Sequence, residues 1–300
     1  MKKRLVLLLT ALGCTTPVFA VVDPAALDAA RTLFSSTGKS REAQAAYEKI
    51  AAADPACAEA QRSLAELALR RDDADQALAY AGKAVALSPD NDDCQTTLGD
   101  ACGRAAQKAS IFRQPGLAKK CLAAYQRAAE LAPAKVRSHQ NLFEFYRQAP
   151  GFLGGGTAKA LAEAATIKQL DVPQGCLAFV TLYAADKQYD LAFAEFDEAL
   201  RASPDNYTAL YYVGRLAATT GQHLDRGLAS LRHCLELTPG KNDPPLAAAH
   251  WRIGNILEKK NDPVGARAAY EAALQADPKF AQAADALKKL REQDPCSPTS

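Results

Sequence analysis

The chain of 300 residues sets 36 Lys and Arg against 34 Asp and Glu, a formal net charge of +2, so it lacks the strongly basic balance that nucleic-acid binding favours. Hydrophobic residues make up 48% of it, largely as Ala, and aromatics only 7%, which suits many small helix interfaces better than one bulky core. Length alone predicts about two domains.

The N-terminus comes first. Lys2, Lys3 and Arg4 precede an apolar run from Leu5 to Gly13, and Val18-Phe19-Ala20 offers a small-residue cleavage site. Residues 1–20 therefore read as a secretory signal peptide cut after Ala20, with a periplasmic or secreted product. The run is shorter than the roughly 20 residues a membrane-spanning helix needs. Ala11-Leu12-Gly13-Cys14 partly resembles a bacterial lipoprotein signal, with Leu two residues before the Cys instead of three. A lipid anchor at Cys14, giving an outer-membrane lipoprotein, is the alternative. Cleavage removes three positive charges and takes the net charge from +2 to −1. Nucleic acid and nonspecific adhesion to anionic lipid then lose their usual electrostatic footprint. No other long apolar run follows, so the mature chain is expected to be soluble, without membrane insertion.

Beyond the leader, Pro55, Pro89, Pro133, Pro204, Pro239 and Pro278 each close an Ala-rich amphipathic run. A period of about 34 residues built from paired helices decides an architecture, and Pro55 to Pro89 is one such interval. The first stretch supplies Ala43, Tyr47 and Pro55, and the second Ala77, Ala81, Ala84 and Pro89. The third has Leu98, Gly99, Cys121, Tyr125, Ala128 and Pro133, and it is enlarged by about ten residues around Gly103 to Lys120 relative to that period. Ile111 and Phe112, inside the enlargement, either extend the first helix or present an apolar contact to a partner.

The fourth stretch is weaker, with Leu142, Tyr146, Ala160 and Ala164 before Pro173. Its Gly151-Phe152-Leu153-Gly154-Gly155-Gly156-Thr157 segment lacks both a preceding strand and the Gly-Lys-Ser/Thr ending of a phosphate loop, and reads as a widened turn. Ala192, Phe196, Ala199 and Pro204 form the fifth, and Gly214, Leu231 and Pro239 the sixth. In the seventh, Ile253, Gly254 and Leu257 share one helical face, Asn261-Asp262 supplies a turn, and Ala266, Tyr270 and Ala273 share the next. Gly254 and Ala266 are small where the helices cross, and Tyr270 fills the space one turn later. A closing amphipathic helix runs from Phe280 to about Gln293, and residues 294–300 are a polar tail.

Gly254, Ala266, Tyr270, Ala273 and Pro278 together resemble the tetratricopeptide repeat, and the same pattern recurs along the chain. The resemblance implies an all-α, right-handed α-solenoid of about seven helix pairs over residues 21–293, closed by the capping helix. It also implies a concave groove lined by the first helix of each pair. Projected onto that groove, the sixth and seventh first helices offer Tyr211, Tyr212 and Arg215, then Trp251, Arg252 and Asn255. Arg137, Asn141, Glu144 and Arg147 fall on the fourth pair, and Arg62, Glu66 and Arg70 on the second. Aromatic rings give contact area at low entropy cost, Arg offers a fork, and Asn can pair with a peptide amide. Packing between neighbouring first helices is the competing reading for Tyr211 and Trp251.

Catalysis is not expected. His139, His223, His233 and His250 fall in different stretches without metal-ligand spacing. Seven cysteines remain after Ala20: Cys57, Cys94, Cys102, Cys121, Cys176, Cys234 and Cys296, an odd number. By the repeat alignment, Cys102 and Cys121 face each other across the third pair and are the candidates for a disulfide. The resulting expectation is a non-catalytic scaffold or adaptor of the cell envelope that binds a protein or peptide in its groove, with no cofactor, metal or nucleic acid. A periplasmic protein holding a small ligand or substrate is the alternative.

Overall fold

The computed structural model describes residues 23–241 and 243–293. The leader, the anchor candidate Cys14, Cys296 and the polar tail lie outside them. Among the described residues there are fifteen α-helices and no strand. They fall into two compact units divided between Ala132 and Pro133.

The first unit holds α1 (Pro24–Ser35), α2 (Ser40–Ala53), α3 (Ala58–Arg70), α4 (Ala74–Leu87), α5 (Asp92–Lys108) and α6 (Gln114–Leu131). The second holds α7 (Val136–Gln148), α8 (Thr157–Leu170), α9 (Val172–Ala185), α10 (Tyr189–Ala202), α11 (Tyr207–Thr220), α12 (Leu224–Glu236), α13 (Leu246–Lys259), α14 (Pro263–Ala276) and α15 (Ala281–Gln293). In both, each odd-numbered helix packs on its successor, giving seven pairs among the described residues, with α15 closing the last. The fold class is an all-α helical-repeat solenoid.

The corners within the second, fifth and seventh pairs share one backbone device. Asp72, Lys187 and Asn261 sit at φ of 62°, 59° and 59°, the left-handed conformation that ends a helix. The next N–H reaches back five residues: Asp73 to the Ala68 carbonyl at 2.9 Å, Gln188 to Tyr183 at 2.8 Å, and Asp262 to Leu257 at 2.9 Å. The carboxylates of Asp73 and Asp262 then accept from the N–H groups of Gln76 (3.1 Å) and Gly265 (2.9 Å), capping α4 and α14. A single residue thus closes one helix and opens the next.

The third pair has no such corner. Its enlargement lengthens α5 and α6 to 17 and 18 residues and leaves residues 109–113 as the link. Ile111 and Phe112 project from that link at 72% and 88% exposure. In the fourth pair the glycine segment forms a short 3-10 turn, Gly151–Leu153, followed by Gly154 at φ 98°. Gly155 is required there by space, since a Cβ would lie 1.8 Å from the Ala149 carbonyl oxygen.

Interiors of pairs are built small against large. A Cβ on Gly99 would meet Tyr125 Cε1 at 2.3 Å, one on Gly254 would meet Tyr270 Cε1 at 2.3 Å, and one on Gly214 would meet Leu231 Cγ at 2.2 Å. The ring or isobutyl group of the second helix fills what the glycine vacates, as close packing demands. Ala43, Ala77, Ala128, Ala160, Ala192, Ala199, Ala266 and Ala273 are fully buried, so the Ala-rich composition is the means by which helices approach closely.

Candidate binding groove

Within the second unit, α7, α9 and α11 lie side by side along a cavity of about 590 Å³. Gln140, Asn141, Phe143 and Glu144 come from α7, Gln174, Leu177, Ala178 and Thr181 from α9, and Thr208 from α11. The positions repeat. Gln140, Gln174 and Thr208 stand 34 residues apart in sequence, as do Phe143, Leu177 and Tyr211, and Arg147, Thr181 and Arg215. Each register position becomes a column across the first helices. Leu177 supplies half-buried apolar surface backed by buried Phe143 and Ile167, with a polar column beside it.

That polar column is partly spent within the protein. Gln140 Nε2 donates to Gln174 Oε1 at 2.5 Å, and Gln174 Nε2 donates to Asp171 Oδ2 at 2.7 Å. Thr208 Oγ1 donates to Asp243 Oδ1 at 2.5 Å. Asn141 differs from these. Its Nδ2 is shielded by protein and has no hydrogen-bond partner among the described residues, a state that costs about 1–3 kcal/mol for a buried donor. A ligand carbonyl reaching Nδ2 would relieve that cost.

Other groove expectations are redistributed. Tyr211 is 6% exposed and sits in the core of the second unit, so it is corrected from contact residue to packing residue; its register partner Phe143 is buried likewise. Tyr212 is half-buried, meets Tyr211 edge-on at 5.6 Å, and carries the guanidinium of exposed Arg215 at 5.3 Å from its ring centre. Arg147 is tied to Glu144 by an ion pair, and Arg137 is exposed on the first turn of α7.

Trp251 and Asn255 line a smaller recess of about 290 Å³ together with Tyr270, Gln282 and Lys289 of α14 and α15. Trp251 meets Phe280 edge-on at 6.0 Å, and the Arg252 guanidinium lies 4.1 Å from the Trp251 ring centre. Arg252 Nε is buried without a hydrogen-bond partner among the described residues. Asn255 is corrected in part: its Nδ2 donates to the Tyr270 hydroxyl at 2.8 Å, so that donor serves the repeat interior. In the first unit, Arg62 pairs with Glu66, and Arg70 lies 4.0 Å from the Phe34 ring centre.

The thiols offer little chemistry. Cys102 and Cys121 are buried free thiols, not a disulfide. Burial pushes the Cys121 thiol up to about 12, with Cys102 nearby adding to the rise. Burial likewise takes Cys176 and Cys234 to about 12 and raises Cys94 and Cys102. The thiolates of these five cysteines, the reactive form, are therefore suppressed. Cys176, Glu195 and Glu198 gather their ligand atoms within 4.8 Å of one another, a spacing able to hold a metal ion. Lys168 Nζ already lies 2.8 Å and 2.9 Å from the two carboxylates. Burial works to lower the Lys168 ammonium, and its hydrogen bonds to both glutamates outweigh that and hold it charged.

Sequence reasoning missed Gln140, Gln174, Leu177 and Thr208 as groove residues. Their signal was the constant 34-residue register, which stands out once α7, α9 and α11 are aligned.

Stacked helix pairs with a groove on their first helices define a helical-repeat protein. A tetratricopeptide repeat family model matches residues 27–92 and 177–225, and a second model of the same description matches residues 247–280. The chain belongs to the tetratricopeptide repeat family. A tetratricopeptide repeat protein from Parabacteroides merdae is similar in structure, with a TM-score of 0.57 and 14% identity over 89% of this chain and 97% of that one. Cut9-Hcn1 of the APC/C hetero-tetramer gives 0.54 at 17% identity over 87% of this chain and 48% of that one. Pseudomonas aeruginosa pilF gives 0.50 at 14% identity over 79% and 97%. Likeness at such identities establishes a shared fold alone. No curated protein matches the sequence at a significant level.

Proposed function

We propose that this chain is a non-catalytic scaffold that holds a peptide segment of a protein partner along α7, α9 and α11. The observation that carries the reading is the shielded, unpartnered Nδ2 of Asn141 on a cavity of about 590 Å³. A backbone carbonyl of an extended segment matches that donor, and an apolar side chain of the same segment matches half-buried Leu177, behind which Phe143 and Ile167 are buried. Main-chain hydrogen bonding with alternate side chains in pockets is a common mode of peptide recognition. The suppressed thiols and the lysine-filled carboxylate pair support a binding role over a catalytic one.

The proposed place of action is the bacterial envelope, reached by export and cleavage after Ala20. Lys2, Lys3, Arg4 and the apolar run behind them are its support, and N-terminal sequencing of the mature protein tests it. For the groove, a random peptide library displayed on phage is selected on the wild type and on Leu177→Arg. Enrichment of a shared motif on the wild type alone is expected. Equal enrichment on both proteins, or none on either, overturns the groove reading.

A further inference from the structure

The link between α5 and α6 exposes two large apolar side chains, Ile111 and Phe112, at the end of a helix pair that is longer than its neighbours. Nothing in the repeat's packing uses them. From Ala101 to Ala129 the sequence has six cations, Arg104, Lys108, Arg113, Lys119, Lys120 and Arg127, and no Asp or Glu. Arg104 and Lys108 meet Asp72, and Arg127 meets Asp90 and Glu130. Arg113, Lys119 and Lys120 are exposed and form no ion pair among the described residues. The chain's near-zero net charge conceals this local excess.

We infer that the α5–α6 link is a membrane-surface contact, in which Ile111 and Phe112 enter the headgroup boundary of an anionic bilayer while Arg113, Lys119 and Lys120 meet its phosphates. Exposed apolar side chains in the link, followed in sequence by Arg113 and, on the second turn of α6, by Lys119 and Lys120, match the two components of peripheral binding: buried apolar area and attraction to anionic lipid. A soluble partner protein would need an acidic, apolar-pocketed surface to take the same residues, whereas a bilayer supplies both features at once. The contact is peripheral, for no described helix is long and apolar enough to cross a membrane. It is independent of the groove, whose residues all lie in the second unit.

The test is flotation of the full chain with vesicles of phosphatidylglycerol and phosphatidylethanolamine, and with vesicles of phosphatidylcholine alone. Binding to the anionic vesicles is expected, weakened by salt because exposed charges are screened. Ile111→Ser with Phe112→Ser should lower partitioning about tenfold while helical circular dichroism is unchanged. Arg113→Gln, Lys119→Gln and Lys120→Gln together should abolish the preference for anionic lipid. A Phe112→Trp variant should show quenching by brominated acyl chains beyond that of Trp251 in the wild type. Unquenched tryptophan at position 112, flotation of the double serine variant at the wild-type level, or equal binding to both vesicle types overturns the inference. The first two outcomes would assign any lipid binding to another part of the chain, such as its first twenty residues, and leave the link to a protein partner.

Discussion

Asn255 donates its side-chain amide to the Tyr270 hydroxyl at 2.8 Å, and at the equivalent place in the third pair the Tyr125 hydroxyl donates to Asp100 at 2.7 Å. Each tyrosine lies against the glycine just before its polar partner, Gly254 or Gly99. The bond fixes the hydroxyl end of a ring whose body fills the glycine's missing side chain.

Gly254→Ala should therefore cost about 1–3 kcal/mol by overpacking, and Tyr270→Phe about 1 kcal/mol by loss of the hydrogen bond. The double variant should depart from additivity, because the methyl group of Gly254→Ala displaces the ring and so weakens the hydrogen bond that Tyr270→Phe removes. Urea unfolding of the four proteins reads the coupling, and strict additivity would show that Tyr270 does not move to admit the methyl group.

Asn141→Leu should raise the stability of the unliganded protein by about 1 kcal/mol, since it removes a buried donor without a partner. The same change should weaken capture of groove-selected peptides. A variant both less stable and unimpaired in capture would mean that Nδ2 faces no ligand.

Lys168→Met should destabilise by about 2 kcal/mol, less than loss of one member of a fully buried pair, because it leaves the carboxylates of Glu195 and Glu198 together beside Cys176. Added zinc should raise the melting temperature of this variant and not of the wild type, where the ammonium holds the carboxylates. An equal zinc effect on both proteins would show that Lys168 does not guard the cluster.

Alkaline stability follows from the thiols. Cys121, Cys176 and Cys234 are raised from an ordinary value of 9.0 to about 12, so the unfolded chain releases their protons first. Stability is then intact below pH 9 and is lost progressively between pH 9 and 12. Replacing Cys234 by Ala should flatten this decline, as measured by urea midpoints against pH. Thiol labelling of native protein at pH 8 should spare all three cysteines.

The pairs themselves were legible because each glycine, alanine and aromatic position answers to a local packing need, as Gly254 and Tyr270 do. The groove was less so. Tyr211 and Trp251 drew attention by side-chain type, yet large aromatics on a first helix serve the neighbouring repeat as readily as a ligand, and Tyr211 does so. Asn255 failed for a similar reason, since its partner lies fifteen residues on, in α14. Asn141 was found by type alone. What sets it apart is that its amide nitrogen is buried and unmatched, a property of the assembled helices that no sequence position displays.

Asp72 occupies a left-handed corner where glycine would be at less strain, and its carboxylate meets Arg104 at 3.4 Å and Lys108 at 2.6 Å on α5. The second helix pair thereby carries a fastening addressed to the third. Repeats of this protein are for that reason not interchangeable modules: a shuffled array would preserve every internal glycine–tyrosine fit and still present Asp72 to a neighbour lacking the two cations it meets.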